Sequence, residues 1–115
     1  WGSAFSVGTA INQTWEFDGA NWSQVGAPTN PPGLWKHGAC FDLVRNRVVV
    51  YGGALDGFPI AENRTWEYDG ATWQQVATNG NPGPLERPAM CFSAALGRTV
   101  LFGGTIMSWS SRRSV

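Results

Sequence analysis

The sequence predicts an all-β fold made of repeated four-stranded antiparallel sheets, and three observations predict it. The chain repeats itself: TWEFDGANWSQV at residues 14–25 returns as TWEYDGATWQQV at residues 65–76. HGACFDLVRNRVVVYGG at residues 37–53 returns as PAMCFSAALGRTVLFGG at residues 88–104, again 51 positions on and with no gap. A period near fifty residues marks a repeat architecture, in which one unit cannot bury its apolar face alone. Seven Trp, six Phe and two Tyr alternate with 15 Gly and seven Pro, the usage of short strands joined by tight turns. No stretch carries apolar residues at a sustained helical spacing.

One whole set of strands lies between His37 and Val76. The first strand is read at 38–42 and the second at 47–51, joined by a turn at 44–47 in which Asn46 takes a positive φ. Gly97 serves the same need in the second copy. The second strand ends at Gly52-Gly53, and a longer loop covers 54–63. The third strand spans 64–68, Asp69-Gly70 makes the hairpin turn, and the fourth strand spans 72–76. A Gly- and Pro-rich loop at 77–88 leads into the next unit. The run VVVY at 48–51 does not alternate, so that strand is expected to be covered on both faces. Small antiparallel sheets covered on both faces must lie between neighbouring sheets, and radial stacking of such sheets is a β-propeller.

The residues at this point resemble the kelch-repeat propellers, in their bacterial style. The resemblance is carried by the glycine pairs Gly52-Gly53 and Gly103-Gly104 after apolar strands, and by the spaced aromatics Trp66, Tyr68 and Trp73 with their counterparts Trp15, Phe17 and Trp22. It covers nearly the whole chain. One departure is Trp1-Gly2, which keeps only the second glycine of the pair. The resemblance implies that the first strand of each blade lies nearest the axis and the fourth outermost. It also implies that the glycines allow close approach near the axis and that the aromatics fill the wider space outside.

The repeat also sets the phase of the chain. Residues 1–13 align with 52–64 and again with 103–115, so the expected fold is a kelch-type β-propeller fragment of about two blades: half-blade, full blade, half-blade. Residues 1–36 hold strands three and four of one blade plus a linker, 37–76 the complete blade, and 77–115 a linker plus strands one and two of the next. Open edges are expected at strands 13–17 and 98–102, to be covered by the remaining blades of a parent propeller or by further copies of the chain.

Eight basic and eight acidic residues cancel, which offers no footprint for nucleic acid and no polybasic signal for anionic membranes. No apolar run reaches the roughly 20 residues of a membrane helix. Cys40 and Cys91 occupy one repeat position, a full repeat spacing apart, which argues against a disulfide and for small buried apolar strand residues. The lone His37 is replaced by Pro88 in the next copy and has no nucleophile beside it in sequence. Glu16 and Glu67, like Asp18 and Asp69, recur at the repeat offset. They are read as structural, the Asp in its turn and the Glu held by an arginine such as Arg47 or Arg98. Three sequons, at Asn12, Asn21 and Asn63, fall in turn-rich sequence and are read as incidental. No metal-ligand spacing is present, and no catalytic residue or cofactor is expected. The copper site of the galactose oxidase type, found in some kelch propellers, needs more His and Tyr ligands than one His and two Tyr supply.

Function is therefore expected on the loops that the repeat constrains least, which connect strand two to three and strand four to the next strand one. The candidate binding residues there are Trp35, Lys36, Asp56, Phe58 and Glu86. The expected function is a non-catalytic module that binds a protein or carbohydrate ligand through these loops. The alternatives are a piece of a larger extracellular propeller enzyme, and a two-blade subunit that assembles into a closed ring.

Overall fold

The computed structural model describes residues 9–27, 29–55 and 61–106. Within them the chain is all-β, and no helix is long and apolar enough to cross a membrane. Among the described residues eight strands form three antiparallel sheets. β1 (Thr14–Phe17) and β2 (Trp22–Val25) make the first hairpin. β3 (Gly38–Asp42), β4 (Arg47–Tyr51), β5 (Thr65–Tyr68) and β6 (Trp73–Val76) make a four-stranded meander in sequence order. β7 (Ala89–Ser93) and β8 (Arg98–Phe102) make the last hairpin.

The turns form where the sequence places them. Asp42 pairs with Arg47 across the β3–β4 turn, Asn46 sits at φ 56°, and Gly97 takes φ 66° at the same point between β7 and β8. Asp69 accepts hydrogen bonds from the Ala71 and Thr72 amides at 2.8 Å, and Asp18 accepts from Ala20 and Asn21 at the same distance. Each aspartate thus closes its own loop, with Gly70 or Gly19 at positive φ. These bonds hold both carboxyl groups below their ordinary range.

The central sheet is covered on both faces. Val50, Trp66, Tyr68 and Trp73 share one face and form the core cluster, against which Val25, Ala27 and Leu34 pack. Two polar bonds tie that face to the first hairpin: Trp73 Nε1 donates to Thr14 Oγ1 and Tyr68 Oη donates to Glu16, both at 2.8 Å. The opposite face carries Val49 and Cys40, which are register partners, and there β7 and β8 pack across β3. Cys40 Sγ donates to Thr99 Oγ1 at 3.6 Å. Val49, Val50 and Tyr51 are all buried, which accounts for the unbroken VVVY run.

Both cysteines are free thiols. Cys40 is partly buried, but Cys91 is exposed rather than buried, because no described residue covers that face of β7. The expected partner of Glu67 is also corrected. Arg45, not Arg47, donates to Glu67 at 2.5 Å and reaches Asp42 through Nε at 2.8 Å. Arg47 turns back onto the carbonyls of Arg45 and Asn46. Glu16 accepts from the Tyr68 hydroxyl, and among the described residues no arginine is paired with it.

Candidate functional site

Backbone hydrogen bonds knit the two loop types together at one end of the central sheet. Trp35 and Ala54 exchange both amide–carbonyl bonds, at 3.1 and 2.8 Å. Glu86 and Thr105, their counterparts 51 residues on, do the same at 2.8 Å each. Gly53 donates to Leu85 at 2.8 Å, Glu62 donates to Gly53 at 2.7 Å, and Leu85 donates to Glu62 at 3.3 Å. The end of one strand-four-to-one loop is therefore bonded to both ends of the preceding strand-two-to-three loop.

The glycine pair makes this junction possible. A Cβ on Gly52 would lie 2.5 Å from the Leu85 carbonyl oxygen, and one on Gly53 would lie 2.9 Å from the Trp35 carbonyl oxygen. Both glycines also take positive φ, 74° and 93°, which favours glycine.

Three of the five candidate residues meet at this junction. The Lys36 ammonium lies 3.4 Å from Glu86 Oε1 and 5.2 Å from the Trp35 ring centroid. The Arg87 amide donates to the Lys36 carbonyl at 2.6 Å, joining successive loops directly. Trp35 is 38% exposed, whereas Glu86 is buried with Lys36 as its cation. Glu86 is thus a support under Lys36, and the surface presented to solvent is the indole and the ammonium. Asp56 and Phe58 lie outside the described residues.

The junction also holds Arg87, the repeat counterpart of Lys36, which reasoning from sequence did not single out. Lys36 and Arg87 share positive φ, 61° and 54°, at equivalent positions. A basic residue recurring 51 positions on, beside Trp35 and Glu86, was the available signal. The Arg64–Glu62 pair at 2.5 Å and the Arg64 guanidinium 5.8 Å from the Trp66 ring also sit at this end, with no counterpart signal in the sequence.

His37 borders a small cavity of about 90 Å³ with Pro31, Pro32, Leu34 and Trp73, a lining that is mostly apolar. Among the described residues no group of three or more His, Cys, Asp or Glu is placed to hold a metal ion. The arrangement at Trp35 and Lys36 is suited to contact, with a flat apolar ring and a fixed positive charge beside it.

No protein-family model matches the sequence. A stretch of 76 residues, 64% of this chain, is 37% identical to dynein regulatory complex subunit 7 of Chlamydomonas reinhardtii. The chain spans about 6% of the length of that relative.

Proposed function

We propose that the chain is part of a kelch-type β-propeller and acts as a non-catalytic module that binds a protein through the junction of its loops. The observation that carries this reading is the half-exposed Trp35 ring with the Lys36 ammonium held over it by the buried Glu86. An indole fixed in place loses little conformational entropy on binding, and Trp is over-represented among residues that dominate binding energy. The buried glutamate keeps the charge stationary, so the site offers a defined cation beside an apolar plate. The propeller part of the reading rests on the 51-residue repeat and on a central sheet covered on both faces by its repeat neighbours. The relative is by name a subunit of a complex, which favours a protein over a carbohydrate as the ligand.

The test is selection of a phage-displayed random peptide library on the immobilised chain, with a glycan array run in parallel. The expected result is a family of acidic, apolar peptides that bind the wild type and lose at least tenfold in affinity to Trp35→Ala. Those peptides should be unaffected by Trp22→Ala. Peptides that bind both variants equally, or glycan binding that Trp35→Ala abolishes, would overturn the reading.

A further inference from the structure

The two hairpins expose the residues that the central sheet buries. Trp15, Phe17 and Trp22 are 48%, 53% and 64% exposed, while Trp66, Tyr68 and Trp73, 51 positions on, are 6%, 7% and 8% exposed. At the other end Phe102 is 81% exposed and its counterpart Tyr51 is 4% exposed. Among the described residues β1 pairs only with β2, and β8 only with β7. Their counterparts β5 and β4 pair with each other in a fixed register, Val48 with Tyr68, Val50 with Trp66 and Tyr51 with Thr65.

We infer that β8 of one copy of this chain pairs antiparallel with β1 of a second copy, completing a four-stranded sheet in the β4–β5 register. The 51-residue offset sets the pairs: Thr99 with Phe17, Val100 with Glu16, Leu101 with Trp15 and Phe102 with Thr14 of the second copy. The occupant is a second copy because each edge matches the other in three ways at once. The register is the one already made within the chain. The apolar side chains match: an open groove of about 710 Å³ beside β1, floored by Val48 and Tyr68, receives Val100 and Phe102. The charges match as well. Arg47 lies near enough to Asp69 to stabilise its carboxylate, and Arg98 and Asp18 stand at the same two positions.

The contact is head-to-tail, so it closes into a ring or runs on as a filament. Each junction adds one whole sheet to the one each copy already has. Propellers hold about four to eight sheets, which corresponds to two to four copies, about 25–50 kDa for a chain of 12.5 kDa. Only this ring size rests on the propeller reading proposed above; the pairing rests on the register.

Two measurements on the 115-residue chain test the inference. Light scattering across about 1–200 μM should give a mass of two to four copies. Leu101→Pro should return it to one. The Gly52 amide donates to Arg64, so by two-residue alternation the Val50 amide points toward β5 and the Leu101 amide toward the free edge. Proline there removes an edge donor while leaving the β7–β8 bonds in place. The second measurement uses single-cysteine chains on a Cys40→Ala, Cys91→Ala background. A mixture of Val100→Cys and Glu16→Cys chains should form the mixed disulfide in preference to either homodimer. A wild-type monomer throughout, or no preference for the mixed disulfide, would overturn the pairing and leave these faces to a different occupant. A mixed disulfide within an open filament would overturn the ring.

Discussion

Trp73 and Trp22 occupy the same position in successive copies of the repeat, and each packs on the aromatic residue across its hairpin with ring centroids 5.0 Å apart. Their local geometry is the same, yet Trp73 is 8% exposed and Trp22 is 64% exposed. The difference is the neighbour: the indole of Trp73 lies against the first hairpin and donates to Thr14 at 2.8 Å. The pair is a control built into the chain. Trp73→Ala should cost about 3–5 kcal/mol, and Trp22→Ala less than about 1 kcal/mol. Urea unfolding under conditions where the chain is a single copy measures both. Equal losses would mean that the hairpin, and not packing between sheets, stabilises these rings.

The glycines allow a second internal comparison. Gly53 and Gly80 both take positive φ, 93° and 108°, but a Cβ on Gly53 meets the Trp35 carbonyl at 2.9 Å while one on Gly80 meets nothing within 4 Å. Gly80→Ala should cost about 1 kcal/mol for the backbone alone. Gly53→Ala should cost a further 1–3 kcal/mol, roughly, for the overlap. Gly104→Ala, with its nearest carbonyl at 3.0 Å, should fall between them. Denaturant midpoints order the three, and the reverse order would contradict the close approach at the loop junction.

Stability should fall in alkali through the tyrosines. Burial first, and then the hydrogen bond to Glu16, push the Tyr68 phenol up to about 12. The unfolded chain releases that proton near pH 10, roughly. The folded state binds it more tightly, so the stabilisation is complete below about pH 10 and is lost as pH rises toward about 12. Burial raises Tyr51 as well, against the lowering effect of its contact with Gly83. Tyr68→Phe should therefore flatten, without abolishing, the fall in urea midpoint between about pH 10 and 12. An unchanged slope would show that the Tyr68 phenol is neither buried nor bonded to Glu16 in solution.

Acid should act through the turns. Asp42 is held below its ordinary value first by the Arg45 amide and then by the Arg45 guanidinium, against an opposing effect of burial. A lowered carboxyl stabilises the fold above the unfolded-state value and loses that contribution as pH falls through the folded one. Asp42→Asn should lower the midpoint at pH 7 and reduce the loss seen below about pH 4. A variant whose acid limb matches the wild type would contradict that assignment.

The strands were legible because the signals that define them are local. The unbroken Val48–Tyr51 run, the Asp69-Gly70 turn and Asn46 each act within a few residues, and β3 and β4 begin and end where the sequence places them. The repeat offset also carried the all-β class and the three separate sheets. Long-range polar partners were not legible. Arg45 lies opposite Glu67, 22 residues away, and its repeat counterpart is Leu96, so the offset that identified the strands is silent there. Of the candidate site, Trp35 and Lys36 were found as unconstrained loop residues. Glu86 was expected on the surface, because nothing in a Pro-rich loop indicates that its last residues bond to Thr105 and close over the carboxylate.

If β8 pairs with β1 of a second copy, the exposed faces are core positions that the next sheet covers. Amide exchange at Leu101, followed by NMR as a function of chain concentration, tests it most directly. Val50, its counterpart, lies inside the four-stranded sheet and should be protected at every concentration. Leu101 is expected to exchange rapidly in dilute solution and to gain protection approaching that of Val50 as concentration rises. A Leu101 amide that stays unprotected up to the highest concentration would contradict it.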